Sequence, residues 1–291
     1  MICRTDLALE AQEQWPGTLG PEELFRQEEE REGVRLSRIE IRGEKAAEAL
    51  GRPVGSYITA QVPPLTDNDE GLAAYARVVG EELRRLLPEK GTVLVAGLGN
   101  GSITPDALGP QAAALVLATR HIRGEFARSS GLDDLRSAAV LVPGVLGKTG
   151  MESGETIQGV CGMLHPAAVI VIDALAARSL ERLGCTVQLC DTGIAPGSGV
   201  GNNRPAVSRE NLGVPVIGLG VPTVVDARTI AWELTGREEA EAEVAPRGEP
   251  MMVTPREIDL MIRRASRLVA MSVNAALQPD YDPLSLLAAA L

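Results

Sequence analysis

The amino-acid sequence predicts an α/β fold with three layers, in which a mainly parallel sheet is flanked by helices. Hydrophobic side chains make up 45% of the 291 residues but aromatic ones only 2%. The core must therefore consist of small and branched aliphatic side chains, as is typical of parallel strands covered on both faces. The centre of the chain also repeats a strand, a loop and a helix, a pattern that favours right-handed crossovers between parallel strands.

The first part of the chain is polar. Residues 1–35 are rich in glutamate, and the acidic run at residues 28–32 is interpreted as a solvated helix face. Short strands are predicted at residues 34–41 and 56–62. An amphipathic helix is predicted from about residue 69 to residue 87, ended by Pro88.

The central strands are apolar and each is followed by a glycine- or proline-containing loop. The predicted strand at residues 92–96 leads through a glycine-rich loop to a helix that ends near Arg120. The next strand, at residues 138–142, leads to a helix from about residue 151. Thr149 and Glu152 have the spacing of a capping box at that helix start.

The second half continues this alternation. A strand at residues 169–172 is expected to lead through Asp173 into a helix over residues 174–183, closed by Gly184. Strands at 187–189 and 214–219 enclose a glycine-rich loop at 191–205, and residues 237–250 have the composition of a surface linker. The last predicted helix begins at Thr254 with a capping box and runs through about residue 277.

Four aspartates follow predicted strands: Asp106, Asp173, Asp191 and Asp226. The carboxyl ends of parallel strands meet at one edge of a sheet, so we expect these carboxylates to converge there. Two aspartates that share one water can cleave a peptide bond without metal or histidine, since the ionised one deprotonates the water and the protonated one polarises the carbonyl. Helix capping is the commoner role of a single aspartate in this position, and Asp173 could simply cap a helix.

Composition and charge exclude several classes of function. The net charge of −11 disfavours direct binding to nucleic acid. Cys3, Cys161, Cys185 and Cys190 lack the spacing of a zinc site or a disulfide framework, which indicates a reducing compartment. The start of the chain has no apolar signal core, and no apolar run reaches the roughly 18 residues that cross a bilayer.

Three further motifs are weak. The glycines from Gly97 to Gly101 follow a strand like a dinucleotide fingerprint, but Ser102 stands at the sixth position and an acid follows. Asp191-Thr-Gly occurs once, without the internal repeat of a pepsin-like protease, and is more often a turn. His121 and His165 follow helices and are interpreted as helix ends rather than catalytic groups.

Longer motifs resemble the germination protease family of spore-forming bacteria. They are Thr104-Pro-Asp-Ala-Leu-Gly-Pro, Pro143-Gly-Val-Leu-Gly-Lys-Thr-Gly, Ile172-Asp-Ala-Leu-Ala-Ala-Arg-Ser-Leu-Glu-Arg, Asp191-Thr-Gly-Ile-Ala-Pro-Gly-Ser-Gly-Val-Gly-Asn and Gly220-Val-Pro-Thr-Val-Val-Asp-Ala. Arg4-Thr-Asp-Leu-Ala-Leu-Glu-Ala near the start and Met252-Val-Thr-Pro-Arg-Glu-Ile-Asp near the end are similar too. The resemblance covers nearly the whole chain, in the same order.

The resemblance implies an aspartic-type endopeptidase that begins the degradation of small acid-soluble spore proteins during germination. Asp106 and Asp173 match its catalytic pair. It further implies a zymogen that cleaves itself between Asp6 and Leu7, so that residues 1–6 are a short propeptide and residues 7–291 one peptidase domain. We expect no cofactor and no metal. The resemblance also implies a homotetramer in the cytoplasm of the spore core.

Other residues are expected to shape or support the substrate cleft: Asp191, Gly197, Gly199, Asn202 and Asp226. Two alternatives stay open. Gly97-Leu-Gly-Asn followed by Asp106 and Gly109 also resembles the hydrogenase maturation proteases, which have a similar α/β architecture and recognise a bound nickel centre. A non-catalytic nucleotide-binding module is the other alternative, and it would bind without proteolysis.

Overall fold

In a computed structural model, the chain builds one nine-stranded sheet with helices on both faces. The structure describes residues 5–122, 124–129, 134–197, 205–236, 244 and 251–290. The strands are β1 (Leu24–Arg31), β2 (Val34–Ile41), β3 (Gly55–Gln61), β4 (Val93–Gly97), β5 (Ala138–Leu141), β6 (Ala168–Ala177), β7 (Thr186–Cys190), β8 (Val216–Asp226) and β9 (Met252–Val253).

The helices follow in chain order. They are α1 (Ala8–Gln14), α2 (Glu44–Leu50), α3 (Leu72–Leu86), α4 (Leu108–Ala113), α5 (Gly124–Ser129), α6 (Leu146–Thr149), α7 (Ser153–Leu164), α8 (Arg209–Leu212), α9 (Ala227–Thr235), α10 (Ile258–Leu277) and α11 (Pro283–Ala290). Short 3₁₀ turns lie at Thr104–Asp106 and Leu180–Arg182. Among these described helices, none is both long and apolar enough to span a bilayer.

The strand order is β1-β2-β3-β7-β8-β6-β4-β5, with β9 paired to β8. Strands β8, β6, β4 and β5 run parallel to one another, whereas the pairs on the β1 side and the β8–β9 pair are antiparallel. The sheet is therefore mixed, and the predicted parallel strands form one half of it. The α/β class is confirmed.

The alternation of side chains along β6 divides the core into two layers. Ile170 and Ile172 point into the larger cluster, which also holds apolar residues of α3, α4 and α10. Val169 and Val171 point the other way, where Ile157 of α7 packs on them. A sheet buried on both faces explains why the central strands read as uninterrupted aliphatic runs.

Several predicted boundaries were wrong. The acidic run at residues 28–32 was predicted as a helix face, but it lies in and just after the edge strand β1, paired with β2. The helix after β4 ends at Ala113 instead of near Arg120. The capping box of α7 is formed by Glu152 and Glu155. The last predicted helix begins at Ile258, without a side-chain cap from Thr254.

The largest error concerns residues 174–183, which were predicted as a helix. The strand β6 instead continues through Asp173 to Ala177, and each of these residues pairs with β8, with a register shift after Leu175. Alanine and leucine suit either structure, so the hydrogen bonds offered by β8 decide the outcome. The predicted linker at residues 237–250 lies outside the described residues, apart from residue 244.

Candidate active site

A cavity of about 780 Å³ opens where the parallel strands end. Its walls come from the segments that follow β4 and β7, from the outer parts of β6 and β8, and from residues near the N-terminus. Of the predicted residues, Asp6, Asp106, Asp173, Asp191 and Gly197 line it. Three of the four aspartates that were expected to converge therefore meet at this cavity, and Asp191 does so from β7, which is antiparallel to β8.

Asp106 lies on the 3₁₀ turn after β4, and two hydrogen bonds fix this turn. The N–H of Asn100 donates to its Oδ2 at 2.7 Å. The Thr223 hydroxyl, which is buried on β8, donates to the carbonyl of Pro105 at 2.8 Å. A carboxylate held from its own loop and from a neighbouring strand is oriented before any substrate arrives.

The glycines around this loop allow its close approach to the strands. Gly99 has a φ of 111°, and a Cβ there would lie 2.1 Å from the carbonyl oxygen of Asp106. A Cβ on Gly109, at the start of α4, would lie 2.6 Å from the carbonyl oxygen of Ile172. Both contacts are sterically forbidden to other residues, so the two glycines let the Asp106 loop lie against β6.

Asp173 occupies the strand β6 itself. Its side chain is buried, with 7% exposure, and its Oδ1 accepts the N–H of Ala174 at 2.9 Å. Because no helix follows it, helix capping does not explain this aspartate. The N–H of Leu98, at the end of β4, donates to the carbonyl of Ile172 at 2.8 Å, so the chain leading to Asp106 starts next to Asp173.

The supporting residues differ in their placement. Asp191 follows β7 and accepts the N–H of Ser56 at 2.8 Å, which joins two walls of the cavity. Asp226 is buried and caps α9 through the N–H of Arg228 at 2.8 Å; it is not among the lining residues. Gly199 and Asn202 lie outside the described residues.

The predicted self-processing bond also lies at the cavity. Asp6 lines it, and its carboxylate accepts the N–H of Ala176 at 2.8 Å. Leu7 is fully buried among Leu175, Ala177 and Val225. The bond between residues 6 and 7 is thus held where the cavity meets the apolar core.

The thiol of Cys190 and the phenol of Tyr57, which also line the cavity, are poorly suited to act as nucleophiles. Burial raises the pKa of the Cys190 thiol, which donates to the Gly193 carbonyl at 3.2 Å, so it stays protonated near neutral pH. Burial likewise raises the pKa of Tyr57 to about 12. Neither His121 nor His165 lines the cavity; His165 is the left-handed C-cap of α7, as predicted.

N–H groups of the glycine-rich loop are already used within the loop itself. The N–H of Asn100, which a phosphate would need, already donates to the Asp106 carboxylate. Gly99 is also occupied, since its missing side chain lets the carbonyl of Asp106 approach closely. These contacts argue against the nucleotide-binding alternative, since phosphate binding requires open N–H groups. Within the described part of the chain, no group of three or more His, Cys, Asp or Glu side chains is placed to hold a metal ion.

Comparison with known families gives a direct match. The sequence model of the germination protease family matches residues 4–236, well over half of the chain. This chain belongs to the germination protease family. As a member of a peptidase family it is a protease, and the resemblance to germination proteases is confirmed.

The similarity to curated germination proteases extends over nearly the full length. The protein from Caldanaerobacter subterraneus is 42% identical, over 95% of this chain and 94% of its own. That from Clostridium perfringens is 38% identical, over 95% of both chains. That from Priestia megaterium is 36% identical, over 96% of this chain and 94% of its own.

Among solved structures, a [NiFe] hydrogenase maturation protease, HycI from Thermococcus kodakarensis KOD1, matches with a TM-score of 0.37 and 16% identity. The match covers 66% of this chain and 98% of that one.

Two cavity residues of this germination protease family member were missed from the sequence. Thr223 stands in a recognised motif, but nothing local indicates that its hydroxyl reaches the Asp106 loop. Arg52 follows α2 and points its guanidinium at the carbonyl of Thr5. Both contacts join residues far apart in sequence, and no spacing rule predicts them.

Proposed function

We propose that this protein is an aspartic-type endopeptidase that cleaves small acid-soluble spore proteins during germination. The observation that carries the proposal is that Asp106, on the turn after β4, and Asp173, within β6, line one cavity. The family membership supplies the peptidase activity and the link to germination.

The proposed reaction uses both carboxylates and one water. The ionised aspartate takes a proton from the water, whose oxygen attacks the scissile carbonyl carbon, while the protonated aspartate donates to the carbonyl oxygen. The aspartate that took the water proton then gives it to the leaving nitrogen, and the C–N bond breaks. As the tetrahedral intermediate collapses to a carboxylic acid, the other aspartate takes back a proton from its hydroxyl group. Asp173 is buried in a paired strand, whereas Asp106 is only partly buried on a turn, so their surroundings differ as such a division of roles requires.

We further propose that the chain is made as a zymogen. Removal of residues 1–6 would free the part of the cavity that Thr5 and Asp6 occupy. The mature domain would then comprise residues 7–291. A homotetramer in the cytoplasm of the spore core is part of the same proposal, carried over from the family.

The decisive test replaces each carboxylate by its amide. Asp106→Asn and Asp173→Asn are each expected to lower kcat for a peptide containing Thr-Glu-Ile-Ala-Ser-Glu by at least about 10³-fold, because proton transfer is lost. The exposed Asp259, in the first turn of α10, supplies the control Asp259→Asn, which should keep full activity. Thermal unfolding would verify that all three variants fold.

Full activity in either amide variant would remove that residue from the reaction. Strong inhibition by EDTA would instead favour a metal-assisted mechanism. Binding of the spore protein without any cleavage, read by mass mapping of the products, would favour a non-catalytic module.

A further inference from the structure

Asn100 and Gly101 form the one Asn-Gly pair of the sequence, and they lie in the turn between β4 and Asp106. Asparagine is a thermolabile residue. Its side-chain amide is lost when the main-chain nitrogen of the next residue attacks the amide carbon. Glycine permits this attack best, because it has no Cβ and its backbone is the least restricted. The pair is therefore a candidate modification site next to Asp106.

The side chain of Asn100 is folded back over Gly101. Its Oδ1 accepts the N–H of Ser102 at 3.0 Å, and its main-chain carbonyl accepts the N–H of Ile103 at 2.9 Å. Both hydrogen bonds span Gly101, as in turns where an asparagine side chain mimics the main chain. The amide carbon of Asn100 is thus turned toward the nitrogen of Gly101.

Three features of this turn favour the attack. The N–H of Ser102 donates to the oxygen on which negative charge develops, so it stabilises the intermediate as an oxyanion-hole donor does. The ammonium of Lys148 donates to the Ser102 hydroxyl at 2.7 Å and adds positive charge beside the turn. Gly101 is exposed, and among the described residues its N–H has no hydrogen-bond acceptor, so water reaches the attacking nitrogen.

The other asparagines of the described part of the chain lack this combination. Asn68 has the same side-chain turn, since its Oδ1 accepts the N–H of Glu70 at 3.1 Å, but the residue after it is Asp69, which carries a Cβ and a charge. The side chain of Asn211 is bound to a main-chain carbonyl, and Asn274 is buried within α10. Asn68 is therefore an internal control that differs from Asn100 in the residue that follows.

We propose that Asn100 deamidates spontaneously and that this conversion inactivates the peptidase. The nitrogen of Gly101 gives its proton to water and attacks Cγ of Asn100. The bond from Cγ to the side-chain nitrogen breaks, and that nitrogen takes up a proton and leaves as ammonia, so a succinimide ring remains. Water then opens the ring at one or the other carbonyl group, which leaves aspartate or isoaspartate at position 100. Water is the only co-reactant.

Isoaspartate changes the support of Asp106. It inserts a carbon atom into the main chain just after the N–H of residue 100, which donates to Oδ2 of Asp106 at 2.7 Å. At the other end of the turn, the carbonyl of Ile103 accepts the N–H of Asp106 at 2.8 Å, so a longer turn displaces Asp106 through both contacts. Activity depends on the exact position of such a group. The loss of activity rests on the proposed function, whereas the conversion does not.

The test stores the activated protein at neutral pH and samples it over several weeks. Peptide mapping by mass reads the conversion of each asparagine amide to a carboxylate, and chromatography separates isoaspartate from aspartate. Asn100 is expected to convert at least about fivefold faster than Asn68, the size of the backbone advantage of glycine. Hydrolysis of the Thr-Glu-Ile-Ala-Ser-Glu peptide by the same samples is expected to fall in step with the isoaspartate fraction.

Gly101→Ala is the matched variant, because it keeps Asn100 and adds a Cβ that makes only ordinary contact. Its Asn100 should convert about fivefold more slowly than that of the unchanged protein, and its activity should last correspondingly longer. Both proteins share the same storage history, so other causes of inactivation affect them equally.

Three results would overturn the inference. They are conversion of Asn100 no faster than that of Asn68, full activity in a sample that has converted to isoaspartate, and loss of activity at the same rate in the unchanged protein and Gly101→Ala. A fresh sample without any peptidase activity would overturn the proposed function and the inactivation with it, whereas the mass data would still decide the conversion.

Discussion

Asp106 and Asp173 reach the cavity on two different kinds of backbone. Asp173 belongs to a paired strand, whereas Asp106 lies on a turn whose position depends on neighbouring residues. Small changes near Asp106 are therefore expected to affect catalysis more than small changes near Asp173. Catalytic groups misplaced by a fraction of an ångström lose much of their effect.

Gly99→Ala should disturb the Asp106 loop directly. The new Cβ would lie 2.1 Å from the carbonyl oxygen of Asp106, at a φ of 111° that alanine rarely adopts. We expect a loss of about 2 kcal/mol in the free energy of unfolding and at least a tenfold loss of peptidase activity. Urea unfolding and peptide hydrolysis would measure the two effects.

Gly101→Ala is the matched control from the same glycine run. Its Cβ would meet only the Cβ of Pro110, at 3.7 Å, which is ordinary contact. It should leave activity unchanged and stability within about 0.5 kcal/mol. If Gly99→Ala were as active as Gly101→Ala, the close approach would not matter for the position of Asp106.

Thr223 is expected to act as a positioning residue through Pro105. Thr223→Val removes the hydroxyl and leaves the Pro105 carbonyl without that donor, so kcat should fall about tenfold while KM stays nearly constant. Thr223→Ser keeps the hydroxyl and should retain at least half of kcat. Steady-state kinetics on the unchanged protein and both variants would test this positioning role. An equal loss of kcat in both variants would mean that Thr223 matters only for packing.

At the scale of elements, the hairpin of β1 and β2 is attached to α3 by a buried cluster of charges. Glu82 of α3 has no exposed surface and pairs with Arg31 at 2.6 Å, Arg38 at 2.8 Å and Arg85 at 3.0 Å. Burial alone would raise the pKa of Glu82, but the hydrogen bond and charge of Arg38, with Arg85 and Arg31, outweigh it and lower that pKa. The same hydrogen bond raises the pKa of Arg38.

Glu82→Gln should therefore destabilise the protein in a pH-dependent way. A carboxyl with a lowered pKa in the folded state stabilises it above the unfolded value of about 4.3, and this contribution is lost as pH falls through the folded pKa. We expect a deficit of about 3 kcal/mol at pH 7, which shrinks below about pH 4. Urea unfolding at several pH values would measure it.

Glu81→Gln serves as the comparison, since Glu81 is half exposed and pairs only with Arg31 among the described residues. Its loss should cost less than about 1 kcal/mol. A Glu82→Gln deficit that stayed constant from pH 7 to pH 3 would contradict the lowered pKa.

At the scale of the whole molecule, the N-terminal residues and the long helix α10 lie in different places relative to the cavity. The N-terminal residues enter the cavity, where Leu7 joins a cluster with β6 and β8. The long helix α10 instead packs behind the sheet against α3 and α4. Removal of the first residues would thus open the site without disturbing the main core.

We accordingly expect the purified chain to lose residues 1–6 on activation, since the bond after Asp6 lies at the cavity. Intact-mass analysis would follow the loss. Asp106→Asn should keep residues 1–6, because the same carboxylates would cut this bond, while Asp259→Asn should process normally. Processing of the Asp106→Asn chain at the unchanged rate would show that a different group cleaves the bond.

The sequence by itself determined the class of the fold, the family and the convergence of aspartates. Aliphatic composition and the repeat of strand, loop and helix specify buried parallel strands, and residues that follow such strands must share one edge. Asp106, which follows β4, was found by this rule, whereas Asp173 lies within β6 and Asp191 follows β7, which is antiparallel to β8. Family motifs are local strings, so they too can be read without coordinates.

Only the tertiary structure decided the contacts between distant segments. Residues 174–177 suit a helix or a strand equally, and pairing with β8 makes them a strand, which removes the helix that Asp173 was thought to cap. Asp226 lies at the end of the parallel strand β8, just as Asp106 follows the parallel strand β4, but the Asp226 side chain caps α9 and does not line the cavity. The physical reason is that hydrogen bonds such as those of Thr223 with Pro105 and of Glu10 with Thr5 depend on packing, and side-chain packing leaves no periodic mark in a sequence.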